Sequence, residues 1–317
     1  PMTREATHGF RCARYRTPPG DPLLGPVDLP LFDFHDMRAV DDETFATYAS
    51  FYAYDPGPLE ARVEAGDTTD RWRKETVSFA AAYGNERVIA HLFLPADVEP
   101  PFQAVVAFPG SAAFQMESSE YLADFYLMRF IPLSGRALVY PILKGSYERN
   151  FERRPGRVAR RERTVWMTQD VRRTVDYLLE RPDIDGDRIG YFGLSLGAEI
   201  VVPFAVEDRF AALALVGGAF DAAWIEAVLP ESAPWNFAPR VRTPLILVNG
   251  RRDFMHPYET GQVPFFDALG TPDADKRFVL DQESGHVPDW NVAVREILDF
   301  YDEYLGPVER RGPAPGR

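Results

Sequence analysis

The sequence predicts an α/β protein with one mostly parallel sheet that helices cover on both faces. From about residue 75, short apolar runs alternate with stretches of helical spacing, as in parallel strands joined by crossover helices. The runs at 104–108 and 211–216 are wholly apolar, which is typical of strands buried on both faces. Further strands are expected at 137–143, 188–192, 244–249 and 277–281. The 317 residues, 45% of them hydrophobic, are enough for one large core with some additional helices.

An amino-terminal arm and helical extension, residues 1–74, is expected before this domain. Residues 1–27 contain several Pro, Gly and Arg without periodicity, which indicates a loosely held arm. Residues 41–54 space their apolar side chains as a helix does, and residues 59–64 form a short amphipathic piece.

The catalytic domain is expected over residues 75–306 and begins with a hairpin. Its two strands, 75–83 and 86–94, are separated by the turn signal Gly84-Asn85. His91 in the second strand is interpreted as an exposed or hydrogen-bonded structural residue.

Helices and loops complete the predicted domain. Helices are expected at 118–131, 164–181, 198–205, 258–269 and 292–304. The connection 144–162 is read as a solvated basic loop, since seven arginines and two glutamates lie between Arg149 and Arg163. The irregular, aromatic segment 220–240 lies where a small cap insertion is expected, and the Pro/Gly/Arg-rich residues 307–317 are expected to be a disordered tail.

Composition and charge exclude several kinds of site and partner. The net charge of −13 argues against nucleic acid or an anionic membrane as a partner. Cys12 is the only cysteine, so neither an internal disulfide nor a zinc site of several thiolates is expected, and the five histidines show no metal-binding spacing. Without a long apolar run or a signal-peptide pattern at the start, the expected location is cytoplasmic. The sequence allows a homodimer but does not indicate one.

The pentad Gly193-Leu-Ser-Leu-Gly197 is the first catalytic candidate. It stands between a predicted strand and a predicted helix, where a Gly-x-Ser-x-Gly turn exposes its serine at the end of a parallel sheet. Such a pentad arises by chance in roughly one chain in ten of this length, so the interpretation depends on partners for Ser195.

Those partners are expected at the ends of later strands. His286, between the last strand and the last helix, is the candidate base that takes the proton of Ser195. Asp253 follows the strand 244–249 and is favoured as the acid that orients His286, because the order Ser, Asp, His is that of α/β hydrolases. Three other acids lie nearer His286 in sequence: Asp281, Glu283 and Asp289.

Two backbone N–H groups are expected to stabilise the negative charge that acyl transfer builds on the carbonyl oxygen. One belongs to Leu196, and the other to Ser111 in the loop after strand 104–108. Substrate contacts are expected from Tyr147, Trp224 and Trp235, which follow strands at the same edge of the sheet. The alternative is that these aromatic side chains only pack the cap.

Several sequence blocks together resemble the α/β-hydrolase superfamily, in particular its dienelactone-hydrolase-like and prolyl-oligopeptidase-like members. The blocks are Trp72-Arg-Lys-Glu, Ala82-Tyr-Gly-Asn-Glu-Arg87, Phe108-Pro-Gly-Ser111, Lys144-Gly-Ser-Tyr-Glu-Arg149, the serine pentad, Asn249-Gly-Arg-Arg-Asp253 and Gly285-His-Val-Pro288. The nearest resemblance is to a hydrolase module that is also found fused to bacterial serine/threonine kinases. It covers roughly four-fifths of the chain and implies the fold and the Ser/Asp/His set, but not a substrate.

The chain departs from these relatives at three points. Pro109 replaces the histidine of the common His-Gly motif, which affects the second oxyanion donor. The nucleophile is serine where dienelactone hydrolases proper use cysteine, so lactone specificity is not implied. No kinase motif occurs, so phosphoryl transfer is not implied either.

The sequence therefore predicts a serine carboxylesterase that acts on a small-molecule ester through an acyl-enzyme, with neither metal nor organic cofactor. The alternatives are a serine peptidase of the same superfamily, a catalytically silent scaffold and, last, a binding module on an unrelated fold. Esters are favoured over peptides because the amino-terminal part is too short for the β-propeller that screens peptides in oligopeptidases.

Overall fold

The computed structural model describes Thr17, residues 32–151 and residues 155–310. The predicted arm over residues 1–27, apart from Thr17, therefore lies outside the described residues, as do residues 311–317 of the predicted tail. All the elements below belong to the compact unit that begins at Asp33.

A nine-stranded mixed sheet forms the centre of this unit, in the order β1-β2-β3-β5-β4-β6-β7-β8-β9. Its strands are β1 (Arg62–Thr68), β2 (Trp72–Ala80), β3 (Arg87–Pro95), β4 (Phe102–Phe108), β5 (Ala137–Ile142), β6 (Ile184–Leu194), β7 (Ala212–Val216), β8 (Leu245–Gly250) and β9 (Lys276–Asp281). Strands β1, β2, β3 and β5 pair antiparallel in that order, and all pairs from β5 to β9 are parallel. The predicted, mostly parallel sheet is confirmed.

Helices cover both faces of the sheet, as the apolar strands predict. In β4, Ala104, Val106 and Phe108 face one hydrophobic core, while Val105 and Ala107 face the other. The helices are α1 (Asp42–Ser50), α2 (Phe125–Met128), α3 (Phe130–Leu133), α4 (Arg157–Leu179), α5 (Leu196–Glu199), α6 (Val202–Val206), α7 (Pro234–Phe237), α8 (Val263–Ala268) and α9 (Trp290–Tyr304). Helices α4, α6, α7 and α8 contribute to the first core, and α2, α3 and α9 to the second.

The sequence places the start of the domain at residue 75, but the sheet begins earlier, at Arg62. Strand β1 lies at an edge and all its residues are exposed, so it has no apolar alternation from which it could be predicted. The hairpin of β2 and β3 is present. His91 is buried in β3 between the hydroxyls of Thr76 and Ser119, at 3.0 and 2.8 Å, which is a structural position.

Helix α4 begins at Arg157, so the carboxyl-terminal part of the predicted basic loop 144–162 is helical. Arginine favours helices, but these first turns lack the apolar spacing that predicts one. The predicted helix 118–131 is replaced by the short α2 and α3, with Asp124 in a left-handed conformation just before them.

The predicted helix 198–205 is broken between Glu199 and Val202. Pro203 has no N–H to donate to the carbonyl of Glu199, so a continuous helix would lose a bond there. Helix α5 consequently ends at Glu199.

The cap segment 220–240 consists of short turns of helix that the amino-terminal extension contacts. Besides α7, it contains 3₁₀ turns at Ala222–Trp224, Pro230–Ser232 and Ala238–Arg240. The hydroxyl of Tyr52 lies 2.7 Å from the Glu231 carbonyl oxygen, to which it donates, and Arg240 donates to the carbonyl of Val40 at 2.6 Å. The extension and the cap therefore pack as one structure.

No helix in the described part of the chain combines the length and the apolar character needed to cross a membrane.

Candidate active site

Ser195 lies at the tip of a sharp turn between β6 and α5. Its φ of 53° is in the left-handed region, and its N–H donates to the carbonyl of Val216 at 2.8 Å. A Cβ at Gly193 would lie 2.3 Å from the carbonyl oxygen of Gly197, and one at Gly197 would lie 2.2 Å from that of Phe108. Both positions of the pentad therefore require glycine, because neighbouring backbone occupies the space of a side chain.

The structure brings Ser195, His286 and Asp253 into one line of contacts. His286, on the loop between β9 and α9, places Nε2 2.8 Å from Ser195 Oγ and Nδ1 2.7 Å from Asp253 Oδ2. Asp253 follows β8, is 4% exposed, and accepts from the N–H groups of Met255 and His256 through its other oxygen. Burial opposes ionisation of Asp253, but the neighbouring imidazole rings of His256 and His286 hold its pKa well below the usual range.

The other acids near His286 have different contacts. Asp281 accepts from Ser284 Oγ at 2.6 Å and from the N–H of Asp289 at 2.8 Å, and these bonds lower its pKa to about 2. Glu283 pairs with Arg252, and Asp289 caps α9. Of the four candidate acids, only Asp253 contacts the His286 ring; Asp281 instead holds the loop that carries it.

Ser111 and Leu196 line a common cavity of about 290 Å³ beside the nucleophile turn. Neither of their backbone N–H groups donates to another described residue, whereas the N–H of Gly110 donates to Asp124 Oδ2 at 3.1 Å. A Cβ at Gly110 would lie 3.5 Å from that of Ser195, which places the loop after β4 directly against Ser195.

Of the three aromatic side chains expected to contact substrate, the structure brings Trp224 to this cavity. Trp235 lines a different cavity, where it packs near Phe34 with 6.0 Å between ring centroids. Tyr147 is fully buried, and its hydroxyl accepts from the N–H of Ala123 and bonds to Tyr140, both at 2.7 Å. Trp235 and Tyr147 therefore pack the structure instead of lining this cavity. The amino-terminal extension packs against Trp235, and the core encloses Tyr147.

Sequence reasoning missed a second histidine behind the acid. His256 is completely buried, with Nε2 3.1 Å from Glu199 Oε1, Nδ1 3.5 Å from Asp253 Oδ2, and its ring centroid 5.3 Å from that of His286. Neither nitrogen is aligned for a hydrogen bond with these carboxylates, so the contacts are ion pairs. Glu199 Oε2 also accepts from Trp224 Nε1 at 3.1 Å. The only sequence signal is a histidine three residues after the candidate acid.

The surroundings of His256 favour its protonated form. Burial alone would lower its pKa, but the carboxylates of Asp253 and Glu199 outweigh that effect and raise the pKa to about 10. Among the described residues, two sets of side chains offer potential metal-ligand atoms that lie within 4.8 Å of one another. They are Asp253/His256/His286 and Glu199/Asp221/His256. Both depend on His256, whose two nitrogens lie 3.1 Å from Glu199 Oε1 and 3.5 Å from Asp253 Oδ2 as ion pairs. The arrangement therefore fits an ion-pair network better than a metal centre.

The sheet topology, the serine turn after β6 and the acid and histidine loops after β8 and β9 define the architecture of an α/β hydrolase. Solved structures confirm that fold. The chain is similar to an acetyl xylan esterase from Thermoanaerobacterium sp. (14% identity, TM-score 0.67, 88% of this chain and 100% of that chain). It is also similar to an acetyl xylan esterase from Paenibacillus sp. (14% identity, TM-score 0.65, 86% and 98%) and to an alpha/beta hydrolase from Penicillium sp. (16% identity, TM-score 0.57, 73% and 99%).

No protein-family model matches the sequence, and no curated protein matches it. The resemblance to the module fused to kinases stays a prediction.

Proposed function

We propose that the chain is a serine carboxylesterase in which Ser195 is the nucleophile, His286 the general base and Asp253 the orienting acid. The observation that carries this proposal is the continuous contact from Asp253 Oδ2 through both ring nitrogens of His286 to Ser195 Oγ. The acetyl xylan esterases of similar fold support ester hydrolysis.

The first half of the reaction transfers the acyl group to the enzyme. A serine hydroxyl is a weak nucleophile near neutral pH, so His286 Nε2 accepts its proton as Oγ attacks the ester carbonyl. Asp253 fixes the tautomer with the proton on Nδ1 and stabilises the imidazolium that forms. The N–H groups of Leu196 and Ser111 receive the negative charge on the carbonyl oxygen. His286 then returns the proton to the alcohol as it leaves.

The second half releases the acid. Water takes the place of the alcohol, His286 removes its proton, and the resulting attack on the acyl-enzyme regenerates the Ser195 hydroxyl. Water is the only co-reactant that this chemistry requires.

The proposal is tested with short-acyl aryl esters, p-nitrophenyl acetate and butyrate, and with a fluorophosphonate probe that labels active serines. Ser195→Ala and His286→Ala should each lower kcat by about 10⁴-fold or more, and the double variant should be little worse, because the two residues act as a unit. Ser118→Ala removes an exposed serine and serves as the control. If either single variant kept a tenth of the activity with an intact fold, the roles would be wrongly assigned.

A serine peptidase on the same residues is distinguished by substrate. Amide cleavage expels a poorer leaving group and demands precise positioning of the substrate, whereas an ester requires less. We expect kcat/KM on aminoacyl anilides and short peptides to be at least about 100-fold below that on aryl esters, a difference in barrier of about 2.7 kcal/mol. Comparable values would favour the peptidase, and failure of the probe to label Ser195 would favour the silent scaffold.

A further inference from the structure

One face of α4 forms a wall of the cavity beside the nucleophile turn. Arg160, Arg163, Thr164, Met167 and Thr168 line it, and their spacing of three and four residues places them on the same side of the helix. The same cavity contains Ser111 and Leu196, so whatever fills it lies next to the proposed oxyanion donors.

Arg160 brings a positive charge to this wall without a counter-charge among the described residues. Its guanidinium carbon lies 5.0 Å from the centroid of the Trp224 ring, and no described carboxylate pairs with it. Nearby arginines of α4 have clear structural contacts: Arg161 pairs with Glu231, and Arg157 donates to the carbonyl of Val228. An arginine that only stacks on an aromatic ring keeps its planar set of donors available for a carboxylate.

The remaining charges leave the cavity positive. Glu199 lines it too, but its carboxylate is compensated by His256 and accepts from Trp224. Among the described residues, Glu226 is the one acidic residue that lines the adjoining cavity, which Arg160 also lines. Although the chain as a whole carries a net charge of −13, the Arg160 guanidinium favours an anionic group over a cationic one at this wall.

A buried hydroxyl adds a second polar feature. Threonine in a helix commonly donates to the carbonyl four residues before it, as Thr164 does to Arg160 at 3.1 Å. Thr168 Oγ1, one turn further along the same wall, is buried and has no hydrogen-bond partner among the described residues. An unsatisfied buried hydroxyl is costly, and because Thr168 Oγ1 is closed to solvent, an acceptor on a ligand reaches it only after a shift of the α4 wall.

We infer that the substrate is an ester that also carries a carboxylate, and that Arg160 binds this carboxylate in the cavity beside Ser195. The inference rests on the proposed function, since it names the substrate class of the same site. The cavity places the anionic group of the substrate at α4 while the ester carbonyl lies at the oxyanion donors.

Two matched pairs of esters test the inference and identify which side of the ester carries the charge. Mono-p-nitrophenyl adipate is compared with p-nitrophenyl hexanoate for a carboxylate on the acid side. p-Carboxyphenyl acetate is compared with p-tolyl acetate for one on the alcohol side. The quantity measured is the ratio of kcat/KM, anionic over neutral, because intrinsic reactivity cancels when one ratio is compared between variants.

Arg160→Met removes the charge and keeps most of the stem. In at least one pair, we expect its ratio to fall about tenfold or more from that of the wild type, which corresponds to about 1.4 kcal/mol. Arg160→Lys should recover part of the ratio, and added NaCl should lower the wild-type ratio. Arg188→Met is the matched control, since Arg188 pairs with Asp185 away from the cavity, and it should keep the wild-type ratio. An unchanged ratio in Arg160→Met for both pairs would overturn the inference.

Binding to an inactive variant separates this inference from the proposed function. Adipate is titrated into Ser195→Ala by calorimetry, and Ser195→Ala/Arg160→Met should bind it at least tenfold more weakly. If the neutral esters are cleaved through Ser195 but the affinity for adipate is the same with and without Arg160, the proposed esterase activity is supported and the carboxylate site is refuted. If adipate binding depends on Arg160 but neither pair is cleaved, the anion site stands and the proposed function fails.

Discussion

Replacing His256 by glutamine tests the buried ion pair behind the candidate acid. With 3.1 Å between His256 Nε2 and Glu199 Oε1, the Coulomb attraction is about 5 kcal/mol at an effective dielectric constant of about 20. Removing one partner of such a pair leaves a buried charge, which typically costs about 3–5 kcal/mol. Because Glu199 keeps its hydrogen bond from Trp224, we expect the free energy of unfolding to fall by about 3 kcal/mol.

The measurement is urea unfolding followed by circular dichroism, with His256→Gln, Glu199→Gln and the double variant compared with the wild type. The double variant should lose at least about 1 kcal/mol less than the sum of the single losses, because the second substitution removes the unpaired charge left by the first. His35→Gln, at an exposed histidine, is the control and should leave unfolding nearly unchanged. Additive losses would refute the pairing.

The pH dependence of this stability has a definite sign. The folded-state pKa of His256, about 10, lies above its ordinary value of 6.5, so protonation favours the folded state. The stabilisation is complete below about pH 6.5 and is lost as the pH rises toward 10. The difference between wild type and His256→Gln should therefore shrink across that interval. A constant difference would show that His256 is neutral when folded.

Four further substitutions test other parts of the structure. Asp253→Asn should lower kcat by about 10⁴-fold, whereas Asp281→Asn should retain most activity and lose stability, most clearly above pH 4 where the wild-type Asp281 is ionised. The reverse order of kcat losses would transfer the role of acid to Asp281. Tyr147→Phe should cost about 1–3 kcal/mol of stability by leaving a buried N–H unpaired, without changing KM for p-nitrophenyl butyrate. A changed KM would return that side chain to the substrate site. Gly197→Ala should prevent folding or lower the melting temperature severely, since its Cβ would lie 2.2 Å from a carbonyl oxygen, and a normally stable variant would contradict the turn geometry.

The sheet could be predicted from the sequence because most of its strands are buried. Strand β4 is apolar except for Gln103, since both of its faces contact cores, whereas β1 is an exposed edge strand without any apolar pattern. The start of α4 was missed for a related reason: its arginine-rich first turns present no apolar stripe. Burial produces the pattern from which an element is predicted, and exposed elements lack it.

The proposed nucleophile, acid and base could be placed because strand ends meet at one edge of a parallel sheet. That rule predicts where the backbone of a loop lies, but it does not predict where a side chain in an irregular segment points. It therefore does not predict that Tyr147 points into the core, or that Glu199, at the end of α5, contacts His256 on the loop after β8.

The contact between Tyr52 and the cap bears on how this chain can be shortened for laboratory use. The Tyr52 hydroxyl lies 2.7 Å from the carbonyl oxygen of Glu231 and 3.2 Å from the Ser232 hydroxyl, and Ser232 lines the cavity beside the nucleophile turn. A fragment cut at Arg62, where the sheet begins, would retain every strand but remove a support of that cavity wall. Because that wall is part of the cavity in which we place the substrate, a minimal catalytic fragment has to include Tyr52 rather than start at the sheet.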